Sequence, residues 1–212
     1  MTAHTPDAAP PPELESPVRI RAHKQFFRRT LQAFQEQDAA FQPRPGMLSV
    51  VGHVHHVTAG LELFLAGVFP AMERFKGREW KSRRGEGQAW LGLGPGFTSM
   101  EWTKVSNENL SGGSDTESPL AFALRAFDET MDLAAELYGQ LSREELLLPL
   151  PENPIRLRTP QEALEIMIDH TAHHRGALAQ YARLLDREPK IPYFEMSEAM
   201  HEAQLLAGGH AP

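Results

Sequence analysis

Apolar residues recur at helical spacing in the N-terminal part of the chain. A first stretch covers 18–40 and is closed by two prolines, which predicts a first helix. A second stretch opens at Ser49, or at the turn formed by Pro45 and Gly46, and keeps its apolar positions on one stripe as far as Val68. Because another proline follows closely, the second predicted helix ends there.

Two further stretches with the same spacing lie in the C-terminal half. Ser118 followed by Pro119 is typical of a helix start, and the stripe that follows predicts a third helix ending at Tyr138. The segment TPQE at 159–162 predicts a capped start for a fourth helix that ends near Leu184. Each apolar stripe needs partners to bury it, and no strand pattern is comparably strong, so the sequence predicts an all-α four-helix bundle.

The remaining segments lack a helical period. Residues 1–17 are rich in proline, which predicts a disordered tail, with the bundle domain over 18–205 and a short C-terminal tail over 206–212. The long connection 76–117 contains all three tryptophans and several glycines. Large aromatic side chains suit both a lid over a site and a dimer surface, and the sequence leaves these two roles of the connection open.

Charge and composition narrow the class of function. A formal net charge of −7 gives no global positive field, which argues against nucleic acid as a partner. Cysteine is absent, so any metal site must use nitrogen and oxygen ligands. Because the sequence shows neither a signal peptide nor a stretch of ~20 apolar residues, we expect a soluble cytoplasmic protein that does not enter a membrane.

The histidines are clustered along the chain. Six of the ten fall within 53–56 and 170–174. His170 and His174 lie on the apolar stripe of the fourth helix, together with Ile166, and should point into the core. Two imidazoles in a dry interior would leave ring nitrogens unsatisfied, and charging both would be costly. A shared divalent metal ion removes both problems.

The third ligand has to come from the second helix. His53 and His56 are the candidates there, and periodicity favours His53, which lies nearer the apolar stripe. A simpler alternative is a single core histidine hydrogen-bonded to a backbone carbonyl, with the others solvated. A zinc protease of the H-E-x-x-H type is excluded, because Thr171 stands where that motif needs its glutamate.

Two segments, SVVGHVHHVTAGLELFLAGVF at 49–69 and DHTAHHRGALAQYARLL at 169–185, resemble the DinB-like (YfiT-like) family of metal-dependent enzymes. In that family one ligand follows an opening Ser or Thr by seven positions, and two come from H-x-x-x-H on the fourth helix. The resemblance therefore implies His56, His170 and His174 as metal ligands. It also implies a four-helix bundle in up-down-down-up order that often assembles as a homodimer.

The resemblance implies an enzyme acting on a small-molecule substrate. Three neutral histidines leave a coordination position open, as catalytic sites do. The reaction is either hydrolysis or S-transfer with an external low-molecular-weight thiol, as in the bacillithiol- and mycothiol-dependent transferases of this superfamily. Zinc or nickel is favoured over iron or manganese. The alternative from another class is a noncatalytic protein in which the metal is structural or sensed.

The sequence does not single out a catalytic group beside the ligands. Glu62, Asp128 and Glu129 could serve as a base if they turn inward, although solvated helix faces are the simpler interpretation. Arg175 suits an anionic substrate or, more simply, a structural ion pair. Tyr181 is predicted to be a core residue. The segment LLDREPKIP after the fourth helix lacks the glycine that commonly ends that helix in the family.

Overall fold

The computed structural model describes residues 12–75, 103, 106–107, 117–151 and 157–193. These residues form four long helices and no strand, as predicted, together with three single turns of helix. The long helices are α1 (Pro12–Leu31), α2 (Val50–Val68), α3 (Pro119–Tyr138) and α4 (Pro160–Leu184). The single turns are Glu36–Asp38, Glu73–Phe75 and Arg143–Leu146.

Among the four long helices, α1 packs against both α3 and α4, and α2 also packs against both. α1 is antiparallel to α3, since Lys24 pairs with Asp132 while Phe27, further along α1, packs on Phe127. This packing buries the apolar stripes of all four helices in one core, as expected for a bundle.

The direction of α4 follows from its contacts with α2. The hydroxyl of Tyr181, near the end of α4, donates to the carbonyl of Leu48 just before α2, while Gly60, in the middle of α2, lies against the ring of His170. The two helices are therefore antiparallel. α2 runs parallel to α3, because His55 lies beside Phe122 and the C-terminal end of α2 lies beside that of α3. Hence α2 and α3 point one way and α4 the other.

The predicted limits of the first helix were wrong at both ends. α1 begins at Pro12, so residues 12–17 belong to the helix and not to the predicted tail, and it ends at Leu31 well before position 40. Beyond that end, Asp38 accepts a hydrogen bond from the backbone of Gln35 at 2.6 Å and forms an ion pair with Arg187. A partner 149 residues away therefore stabilises the turn that follows the helix. The rest of the predicted tail lies outside the described residues.

The predicted starts of the other three helices are confirmed. The hydroxyl of Ser49 accepts from the backbone of Gly52 at 2.9 Å, and that of Thr159 accepts from Glu162 at 3.1 Å. At α3 the predicted cap residue makes no cap bond of its own. Instead Glu36 accepts from the backbone of Leu120 at 3.0 Å, so a neighbouring turn supplies the cap.

The end of α4 explains how the chain manages without a glycine. Asp186 adopts a left-handed backbone with φ of 56° directly after the C-cap. This conformation lets the N–H of Arg187 reach back to the carbonyl of Ala182 at 2.9 Å, as in a Schellman ending. Aspartate tolerates this region better than most residues, so it can end the helix at a position where glycine is more common.

Candidate metal centre

Three histidine side chains converge between α2 and α4. His56 is on α2, and His170 and His174 lie one turn apart on α4. The Nε2 atom of His170 is 3.2 Å from that of His56 and 3.1 Å from that of His174. One ligand atom from each of the three residues lies within 4.8 Å of the others. The group can therefore hold a single ion.

The spacing of these nitrogens fits metal coordination better than hydrogen bonding. A neutral imidazole nitrogen either donates one proton or offers one in-plane lone pair. Nε2 of His170 faces two other nitrogens, so at most one of the two contacts can be a hydrogen bond. Two nitrogens that are each ~2.1 Å from one ion lie about 3.0–3.4 Å apart at ordinary coordination angles. Both of the separations from Nε2 of His170 fall in that range.

Burial keeps these imidazoles neutral. It lowers the pKa of His56 and of His170 to about 4, and that of His174 to about 2, with the neighbouring histidines acting in the same direction. His174 is buried, whereas His56 and His170 are half-buried. All three are therefore uncharged near pH 7, which is the form that binds a metal.

Gly60 makes room for one of the three rings. It lies one turn after His56 on α2, and a Cβ atom placed there would come within 2.8 Å of Cε1 of His170. The ring thus packs directly against the α2 backbone. Gly60 was not among the predicted site residues, although a glycine inside a helix costs about 1 kcal/mol relative to alanine and usually has a packing reason.

His53 approaches the same cluster from another side. It is only 4% exposed, and its Nδ1 lies 2.9 Å from Nδ1 of His174, while Nε2 of His174 faces His170. Burial lowers the pKa of His53 to about 3, so it too is neutral. The three nitrogens that could share an ion do not include one from His53. The residue that periodicity favoured is thus a neighbour of the group.

The chain is similar to a known protein family over most of its length. A family model described as the DinB superfamily matches residues 19–178, well over half of the chain. The chain belongs to the DinB superfamily. No match was found among curated proteins or among solved structures.

The carboxylates suggested by the sequence lie on different faces of this DinB-superfamily bundle. Asp128 forms ion pairs across to α1, with Lys24 at 3.8 Å and Arg28 at 3.7 Å. Glu129 is exposed and pairs with an arginine one turn earlier on α3. Both therefore take part in ion pairs, Asp128 half-buried against α1 and Glu129 at the surface. Glu62 is half-buried on α2, the helix that carries one of the three histidines, and its role as a base stays a prediction.

Arg175 follows the last of the three histidines and is buried. Its guanidinium lies 5.6 Å from the ring centre of Phe26 and 5.1 Å from that of Tyr193, and it donates to the hydroxyl of Tyr193 at 3.0 Å. The described part of the chain offers it no carboxylate within ion-pair distance. The predicted structural ion pair is thus replaced here by cation–π contacts. Tyr181 is a core residue, as predicted.

A small part of the connection 76–117 is described, and it lies at the start of α2. The side chain of Asn107 accepts from the backbone of Ser49 at 2.8 Å and donates to the carbonyl of Met47 at 2.9 Å. These bonds join the connection to the helix that carries His53 and His56. The tryptophans of the connection lie outside the described residues, and so do the predicted lid and dimer surface. None of the helices in the described part of the chain combines the length and apolar character needed to cross a bilayer.

Proposed function

We propose that this DinB-superfamily protein is a metal-dependent enzyme that holds one divalent cation through His56, His170 and His174. The observation that carries the proposal is the convergence of three neutral imidazole nitrogens within 4.8 Å of one another. Imidazole suits zinc and nickel well, and those are the ions we expect first, ahead of iron or manganese. The half-buried state of His56 and His170 supports an open side on which a substrate can approach.

The protein's own residues bind and orient the ion. The antiparallel helices α2 and α4 place their histidines side by side. The i,i+4 spacing of His170 and His174 puts both rings on the same face of α4, one turn apart. When bound, a divalent ion supplies Lewis-acid chemistry that lowers the pKa of a coordinated water or thiol. Since the ligands are neutral, the centre keeps the ion's positive charge, which favours an anionic or electron-rich group of a small-molecule substrate.

Two reaction classes follow from this chemistry. One is hydrolysis of a small molecule. The other is S-transfer, in which a low-molecular-weight thiol attacks an electrophile. The chain contains no cysteine, so the thiol would have to be an external co-substrate. Glu62 is the carboxylate that we propose to test as a base, because it shares α2 with His56.

Metal content tests the ligand set. Protein purified without chelators or nickel resin should contain about one divalent ion per chain by elemental analysis, since three imidazoles suffice for a catalytic-type site. His56→Ala, His170→Ala and His174→Ala should each lose that ion while keeping the helical circular dichroism signal. His173→Ala, exposed on α4, is the matched control and should keep it. Full metal content in any of the three variants would reject the assignment.

Activity assays then separate the reactions. Metal-loaded protein is incubated with ester and amide probes, and in parallel with an electrophile plus a small thiol such as cysteine or glutathione. Turnover that needs both metal and thiol identifies an S-transferase, whereas thiol-independent turnover identifies a hydrolase. Stoichiometric metal with a closed coordination shell by X-ray absorption, and no turnover in either assay, would contradict the enzyme proposal in favour of a structural or sensory metal.

A further inference from the structure

His53 occupies a position where packing alone would favour an apolar residue. It lies on the buried stripe of α2 among valines and is 4% exposed. A buried imidazole carries two polar nitrogens, which are costly unless they are hydrogen-bonded. One of them, Nδ1, lies 2.9 Å from Nδ1 of His174. The contact with His174 therefore gives a reason for an imidazole at this buried position.

The contact links the proton positions of the two rings. Of the two facing Nδ1 atoms, one must carry the proton and the other must accept it. If His174 donates, its Nε2 bears a lone pair directed at His56 and His170. If His53 donates instead, the proton of His174 sits on Nε2 and blocks that direction. In both arrangements Nε2 of His53 has no hydrogen-bond partner in the described part of the chain. It is an unpaired N–H when His53 accepts and an unpaired lone pair when His53 donates.

We propose that His53 is a positioning residue that accepts a hydrogen bond from Nδ1 of His174 and so keeps the Nε2 lone pair of His174 directed into the three-histidine centre. The inference rests on the proposed metal centre. Metal-bound histidines generally donate their second ring proton to an outer partner, most often a carboxylate, a backbone carbonyl or water. Here the partner is a neutral imidazole, which orients the ligand without adding a negative charge.

His53 is itself held in place by α4. Its ring meets that of Tyr181 in a T-shaped contact with 5.0 Å between the centres, and the Tyr181 hydroxyl is bonded to the carbonyl of Leu48 at 3.0 Å. His53 cannot replace a ligand at the centre from this position. It lies on the Nδ1 side of the His174 ring, whereas His170 lies on the Nε2 side.

The hydrogen bond can be observed directly in the full-length protein. In zinc-loaded, ¹⁵N-labelled protein, long-range ¹H–¹⁵N correlation should show the His174 proton on Nδ1, with an N–N scalar coupling across the hydrogen bond to Nδ1 of His53. A His174 proton on Nε2, or a proton on Nδ1 without that coupling, would overturn the proposal. The same coupling can be measured in the metal-free protein, where it tests the hydrogen bond independently of zinc binding. If zinc does not bind but the coupling is present, the proposed function fails and the hydrogen bond stands.

Variants test the consequence for metal binding. His53→Ala should weaken zinc affinity by about 10–100-fold, measured by chelator competition, while saturating zinc still gives one ion per chain. His53→Asn places an amide oxygen close to the position of Nδ1 and should recover most of the affinity. His55→Ala, half-buried on the same helix, is the control and should bind zinc like the wild type.

The visible spectrum of cobalt-substituted protein provides a readout that packing alone would not change. It should shift in His53→Ala and return toward the wild type in His53→Asn. Wild-type affinity and spectrum in His53→Ala would refute the positioning role. Equal losses in the Ala and Asn variants, with unchanged circular dichroism, would also refute it, because they would reflect the lost ring and not the lost acceptor.

Discussion

The close approach of His170 to α2 makes Gly60→Ala an informative substitution. The added methyl carbon would lie 2.8 Å from Cε1 and 3.1 Å from Nδ1 of His170. Carbon atoms normally meet at about 3.5 Å or more, so the ring or the helix has to retreat by about 0.7 Å. Metal sites tolerate deviations of about 0.2 Å in ligand distance. The substitution should therefore displace one ligand beyond what the centre tolerates.

The expected loss of zinc affinity is about 10–100-fold, the range for changes that disturb ligand orientation. That corresponds to about 1.4–2.7 kcal/mol of binding free energy. Folding of the metal-free protein changes through two opposing effects. Alanine should add about 1 kcal/mol to helix stability, but the overpacking costs about 1–3 kcal/mol, so the metal-free variant should be between as stable as the wild type and about 2 kcal/mol less stable.

Gly176→Ala is the matched control, because it lies inside α4 two residues after His174 and its Cβ would meet no atom within 4 Å. This variant should keep wild-type zinc affinity and gain about 0.5–1 kcal/mol in urea unfolding. Affinity is measured by competition with a chromophoric chelator, and stability by denaturation of the metal-free proteins. If Gly60→Ala binds zinc as tightly as Gly176→Ala, the close approach of His170 to Gly60 does not control metal binding.

Two further predictions concern stability. In the unfolded chain His56 and His170 become protonated below about pH 6.5, whereas in the folded metal-free protein their pKa values are about 4. The free energy of unfolding should therefore decrease as the pH falls from 6.5 to 4, by up to about 1.4 kcal/mol per pH unit for each histidine. Urea midpoints measured from pH 7 to pH 5 test this, and a flat profile would contradict it. Asp38→Asn should destabilise the fold by about 2–4 kcal/mol, because it leaves the half-buried Arg187 without its carboxylate. Arg187→Lys with Asp38 intact should cost less, and equal losses would argue against the pair.

Much of the bundle could be predicted from sequence because its signals are local. The starts of α2 and α4 depend on side chains that cap the adjacent turn, and Ser49 and Thr159 do so. The i,i+4 spacing of His170 and His174 places them on one face whatever the rest of the chain does. The apolar stripe of α4 predicted burial less reliably at its edge, because Ile166 was assigned to the core and is 39% exposed.

Other features were decided only when the helices packed together. Periodicity favoured His53 over His56 because His53 lies nearer the apolar stripe of α2, and His53 is indeed the more deeply buried of the two. Which of them faces His170 depends on how α2 is rotated against α4, and the separation along the chain carries no information about that rotation. The more buried residue contacts the far nitrogen of His174, and the less buried one joins the three-histidine group.

The sequence by itself determined the presence of four helices, most of their apolar faces and the pair of histidines one turn apart, because these follow from the geometry of a single helix. Tertiary structure decided the third member of the group, the space that Gly60 leaves for a ring, and the ion pair that joins Asp38 to Arg187. Each of these needs two segments far apart in sequence to meet within a few ångströms. Only the packing of the helices, and of the turns that follow them, sets distances of that kind.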